Sequence, residues 1–101
     1  MGYYTYILRC ADGSLYTGIT TDLARRFAQH AGGPGKAGAK YTSARQPVKY
    51  ECAFMSENRS TASKLESRIK ALPRSAKLLL IEGESVLDLE GYERVDAESL
   101  Q

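Results

Sequence analysis

Two runs rich in Tyr, Ile, Leu and Thr, residues 3–9 and 15–19, flank Ala11-Asp12-Gly13, and this commits the start of the chain to a β-hairpin. The loop length decides which side chains share a face. With a two-residue Asp12-Gly13 loop, Ala11 pairs with Ser14, and Tyr6 and Tyr16 point to opposite faces. With a three-residue loop, Gly13 left-handed in a bulge, Cys10 pairs with Ser14, Tyr6 lies opposite Gly18 and Tyr16 opposite Leu8. Glycine in the last loop position is what such a bulge needs. The second register is therefore expected, with both phenols on one face. Gly18 then leaves the space beside Tyr6 empty, and two hydroxyls over a vacancy suggest a pocket rather than a core.

The hairpin is followed by helix signals. Thr20 or Thr21 is expected to cap a helix over about 22–31, with Asp22 in its first turn and Gly32-Gly33 as its stop. His30 falls within the apolar stripe of Leu23 and Phe27; Arg26 sits on its edge, one turn before His30. Residues 32–47, "GGPGKAGAKYTSARQP", are Gly-rich, basic and aperiodic, as functional or mobile loops are. A phosphate-cradling P-loop is excluded: Ala37 follows Lys36, and the segment leaves a helix rather than a strand. Lys36, Lys40, Thr42 and Arg45 on this scaffold suit contact with a phosphate backbone. Val48–Met55 reads as a third, central strand. Residues 56–60 hold the cap of a second helix that buries Ala62, Leu65, Ile69 and Leu72, with Glu66 at the stripe's margin. Pro73 opens a short helix over 74–82, which Gly83 ends. Val86, Leu87 and Leu89 can lay the following segment on the body, and nothing regular is predicted beyond Gly91.

Composition narrows the partners. A chain of 101 residues supports one domain. No apolar run, Leu78–Ile81 included, approaches the ~20 residues of a membrane span or the core of a signal peptide. A cytoplasmic, monomeric protein is expected. Cys10 and Cys52 stand far apart and the chain has a single His, too few ligands for structural zinc; both thiols are expected reduced, within strands. Residues 1–81 hold 13 Lys/Arg against 5 Asp/Glu, whereas residues 82–101 hold 1 Arg against 7 acids. A basic body suits a polyanion such as nucleic acid. The acidic end is either solvated or competes with nucleic acid for the basic face.

Taken singly, each candidate residue has an ordinary explanation. Tyr6 and Tyr16 can be half-buried packing groups. Glu66 and Lys70 make a common i,i+4 pair, Arg25-Arg26 a solvated helix face, and His30 a hydrogen-bonded core residue. Their joint order is more specific. Tyr4-Thr5-Tyr6, Tyr16-Thr17-Gly18, the stretch from Thr21 through Arg26 to His30, and Glu66 within Leu65–Lys70 together resemble the GIY-YIG nuclease family. The likeness covers residues 2–82. It is strongest to small stand-alone bacterial members, relatives of the nuclease subunit of structure-specific repair endonucleases. Tyr4-Thr5 stands in place of Gly-Ile, and Thr17 in place of Ile. The Lys that some members carry after the second motif is replaced by Ile19-Thr20, and no Asn follows Asn58.

The resemblance implies an α+β fold, a three-stranded antiparallel sheet flanked by helices. Residues 1–83 would form the nuclease-like domain and 84–101 an acidic C-terminal tail. It also implies hydrolysis of DNA phosphodiester bonds, on branched or distorted DNA, with one Mg²⁺ (or Mn²⁺). Glu66 would hold the metal, Tyr16 would adjoin or activate the attacking water, Tyr6 would orient water or phosphate, and Arg26 would bind the scissile phosphate. The base is Tyr16, if a nearby cation lowers its pKa from about 10, or else His30. Arg25, Lys36, Lys40, Thr42, Arg45 and Lys70 would contact nucleic acid. Two alternatives remain: a nucleic-acid-binding module of the same fold with little catalysis, and a subunit active only with a protein partner.

Overall fold

The computed structural model describes residues 2–30 and 47–95. In chain order these form β1 (Tyr3–Cys10), β2 (Leu15–Thr20), α1 (Leu23–His30), β3 (Pro47–Ser56), α2 (Arg59–Lys70), α3 (Arg74–Ile81) and β4 (Glu93–Val95). The strands make one antiparallel sheet in the order β2-β1-β3-β4. The expected three-stranded sheet thus gains a fourth strand. The sequence does not reveal β4 because three residues, two of them charged, carry no alternation to detect. The Gly32-Gly33 stop and the basic loop lie outside the described residues.

β1 is central and covered on both sides, which is why Thr5, Tyr6, Ile7 and Leu8 are all fully buried. On one face Ile7, Cys52 and Phe54 pack with Leu65 and Ile69 of α2 and Leu80 of α3. Each such side chain contributes about 1.5–3 kcal/mol by leaving water. On the other face Tyr6, Leu8, Tyr50 and Ala53 pack with Leu23, and Phe27 of α1 lies against them. Tyr50 and Ala53 share this face although three residues apart. The pairing steps from Ile7↔Cys52 to Leu8↔Tyr50, and the extra residue, Glu51, resets the strand's alternation as β-bulges do.

α2 starts at Asn58, whose Oδ1 accepts from Thr61 N at 3.0 Å while Thr61 Oγ1 accepts from Asn58 N at 3.2 Å. This is a reciprocal capping box with Thr in place of Glu or Gln. The Thr5 hydroxyl donates to Ala62 O at 3.0 Å, tying the helix to β1. α3 ends as expected at Gly83, φ +96°, with Gly83 N on Leu80 O and Glu84 N on Leu79 O. The segment after it does return to the body: Val86, Leu87, Leu89 and Tyr92 pack on the α2–α3 face. Polar latches then hold β4. Arg94 donates to Leu80 O at 2.9 Å and Ile81 O at 2.5 Å, and Tyr92 donates to Thr61 O at 2.7 Å.

Replacing Asn58 by Ala is expected to lower stability by about 1 kcal/mol. A urea titration should show a lower midpoint with an unchanged slope; an unchanged midpoint would deny the cap its role.

Candidate active site

The hairpin takes the three-residue loop. Cys10 N donates to Ser14 O at 3.0 Å and Gly13 has φ +86°, which places Tyr6 opposite Gly18 and Tyr16 opposite Leu8. The two rings share a face with centroids 6.3 Å apart. The expected vacancy beside Tyr6 does not exist. A Cβ on Gly18 would lie 2.5 Å from Tyr6 Oη, 2.8 Å from its Cζ and 3.2 Å from Tyr16 Cε2. The phenol itself has moved into the room that glycine leaves. Tyr6 is 0% exposed, so its hydroxyl works from beneath the surface, whereas Tyr16 is half-buried.

α1 brings the guanidinium to these phenols. Its cap is Asp22 rather than Thr20 or Thr21. Asp22 Oδ1 accepts from Arg25 N at 3.0 Å, while Thr20 Oγ1 accepts from Asp22 N at 3.1 Å and holds the cap in turn. The carboxylate reaches the third helical amide, so the helix begins one residue later than the sequence suggests. Tyr50 Oη donates to Leu23 O at 2.7 Å and pins the first turn to the sheet. Edge-on contacts run from Tyr6 to Tyr50 (5.2 Å) and from Tyr50 to Phe27 (5.5 Å), a geometry aromatic pairs favour. Arg26 then donates from Nε to Tyr6 Oη at 3.2 Å and from Nη1 to Gln29 Oε1 at 3.1 Å, and it also hydrogen-bonds Tyr16.

Burial pushes the Tyr6 hydroxyl up to about 12, against the hydrogen bond and charge of Arg26; Tyr16 and Glu66 add to the rise. Tyr6 is a neutral phenol at physiological pH. Burial works against the Arg26 charge, but the two phenols outweigh it and hold the guanidinium above its ordinary value. Glu66 follows the buried Leu65 on α2, which packs across β1 and β2. Its carboxylate is part-shielded, pairs with Lys70 Nζ at 3.4 Å, and its charge reaches Tyr6.

Tyr6, Tyr16 and Arg26 are therefore one hydrogen-bonded set, with Glu66 in its electrostatic field and Lys70 on Glu66. Arg25 is exposed beside Arg26, and both line a cleft of about 250 Å³ with Thr20, Thr21, Gln29 and Arg59. Arg59 escaped the sequence reading because the first residue of a helix ordinarily looks solvated; the Asn58 cap just before it was the one local signal of its place. His30 ends α1, but its side chain lies outside the described residues, as do Lys36, Lys40, Thr42 and Arg45. Among the described residues no three His, Cys, Asp or Glu side chains cluster to hold a metal. A single part-shielded carboxylate suits Mg²⁺, which commonly takes one or two and completes its shell with water and substrate oxygens. A larger groove, about 640 Å³, lies elsewhere, between residues 55–57 and 91–93. It presents Glu57 and Glu93, which do not suit an anion. No helix among the described residues is long and apolar enough to cross a membrane.

Comparison with known proteins agrees with this geometry. Residues 2–78 match the family model described as the GIY-YIG catalytic domain. A UPF0213 protein of Clostridium perfringens is 45% identical over 91 residues, 90% of this chain and 94% of its own. One from Fusobacterium nucleatum is 44% identical over 77 residues, 76% of this chain and 74% of its own. The solution NMR structure of the UPF0213 protein BH0048 from Bacillus halodurans superposes with a TM-score of 0.52 at 41% identity, covering 85% of this chain and 88% of that one.

Two outcomes test the packing of the site. Gly18→Ala should cost about 1–3 kcal/mol through overpacking and displace the Tyr6 ring, read as changed Tyr6 ring resonances by NMR; an undisturbed ring would refute the close approach. Tyr6 titrates near 10 when unfolded and at about 12 when folded. Its stabilising contribution is therefore complete below about pH 10 and lost between pH 10 and 12, at about 1.4 kcal/mol per pH unit. Urea midpoints from pH 9 to 12 should fall less steeply in Tyr6→Phe than in the native chain, and equal slopes would contradict the shift.

Proposed function

The chain belongs to the GIY-YIG family of nuclease domains, and from that premise we propose that it is a DNA endonuclease acting with one Mg²⁺ or Mn²⁺ on branched or distorted DNA. The observation that carries this reading is the double anchoring of Arg26. A guanidinium held by two phenols is oriented before any substrate arrives, and an oriented, permanently charged donor is what a phosphoryl group in transition requires. Lysine could not replace it, because the planar fork is needed both to grip the phenols and to meet a phosphate.

Roles follow from burial. Arg26 binds the scissile phosphate. Tyr6, sealed beneath it, does not orient water or phosphate by contact as the family resemblance implies; it is a positioning residue that sets Arg26. Tyr16, half-buried and hydrogen-bonded to Arg26, adjoins the attacking water and takes its proton when ionised to the phenolate, or the neutral imidazole of His30, one turn beyond Arg26, takes it instead. Glu66 holds the divalent ion, which when bound supplies positive charge to the phosphoryl oxygens. The body offers little surface for an extended sequence-reading interface, so DNA shape or a partner protein supplies the selectivity.

Glu66→Gln is expected to lower metal-dependent cleavage by about 10²–10³-fold on flapped, forked and linear duplexes, with stability nearly unchanged. Equal cleavage by the two proteins would remove the metal role. Tyr6→Phe should lower kcat and broaden the Arg26 Nε–H NMR signal, since only the anchor is lost; a sharp, unshifted signal would deny the positioning role.

A further inference from the structure

The cleft beside Arg26 contains more cationic charge than one scissile phosphate needs. Arg25 and Arg26 line it from α1, and Arg59, the first residue of α2, lines it as well. Tyr3, Ile19, Thr20, Thr21 and Gln29 complete its wall, and none of the lining side chains is a carboxylate. Among the described residues, ion pairs join Arg9 to Glu51, Lys49 to Glu51 and Lys70 to Glu66; Arg25 and Arg59 are in none of them. Three guanidiniums gathered from two helices repel one another unless an anion lies among them. The N-terminus of α2 adds its own partial positive charge at Arg59.

We propose that Arg25 and Arg59 together grip one further phosphate of the cut strand, the one next to the phosphate on Arg26. This rests on the nuclease reading above and deepens it. Arg26 is committed to the phenols and faces the chemistry, whereas Arg25 and Arg59 are exposed and belong to different helices. A phosphodiester between them closes the cleft and neutralises both. A strand held at two neighbouring phosphates, one on Arg26 and one between Arg25 and Arg59, runs through the site in a fixed register. A cut is thereby placed at a fixed offset from a junction, with no base contact required.

The test replaces charged linkages one at a time by neutral methylphosphonates along the cut strand of a flapped DNA. Affinity is measured by fluorescence anisotropy without divalent metal, so that nothing is cleaved. For the native chain, neutralising the linkage adjacent to the scissile one should weaken binding by about tenfold. In the Arg25→Gln/Arg59→Gln double variant that loss should vanish, while Arg74→Gln, at the exposed start of α3, should retain it. Both cleft residues are exposed, so thermal unfolding of the double variant should match that of the native chain. A penalty that persists in the double variant, or no penalty at any neighbouring linkage, overturns the assignment of the cleft while leaving the nuclease reading intact. Failure of the native chain to bind or to cut the unmodified DNA overturns both.

Discussion

Arg26 and Tyr6 meet through a hydrogen bond that exists only because Gly18 has no side chain. The missing Cβ lets the Tyr6 ring lie flush over β2, which puts its hydroxyl 3.2 Å from Arg26 Nε. Burial then keeps that hydroxyl protonated and the guanidinium charged, each supporting the other. A larger residue at position 18 would push the ring outward, and α1 would lose one of its two polar anchors to the sheet. The site is therefore built from a steric absence first and from charge second.

The second constraint is the positioning of α1 itself. Eight residues make a marginal helix in isolation, and this one is stabilised at both ends of its first turn. Asp22 caps the amides and Tyr50 ties down the Leu23 carbonyl. Tyr50 reaches that carbonyl because the bulge at Glu51 turns it to the α1 face. Packing, bulge and cap thus converge on the orientation of one arginine.

The arginine cleft and the described part of the acidic tail sit apart on the sheet. The arginine cleft lies at the end of β2, on one edge. The described part of the acidic tail lies with β4 on the other, where Glu93 pairs with Met55 and Arg68 holds Asp88 O at 3.1 Å. Residues 84–95 therefore do not cover the cleft from where they sit. Arg94 shows why the acidic edge stays in place: its guanidinium takes up two terminal carbonyls of α3 and rests 5.6 Å over Phe54.

Local pattern alone determined the hairpin register, because a glycine in the last loop position selects the three-residue loop, and a period of two then puts Tyr6 and Tyr16 on one face. It determined the stripes of α2, with Ala62, Leu65 and Ile69 buried, and the stop at Gly83. The order of Tyr6, Tyr16, Arg26 and Glu66 was legible as well, since motifs are linear. Their depth was not. Whether Tyr6 lines a pocket or lies under Arg26 depends on how two strands and a helix pack, and that is set by distances between segments remote in sequence. The same holds for Arg59, which reaches the cleft only because Thr5 and Leu65 dock α2 across β1, and for β4, whose few residues are held by Arg94 rather than by any periodicity of their own. Sequence periodicity specifies which face of an element is buried; only close packing specifies what that face meets.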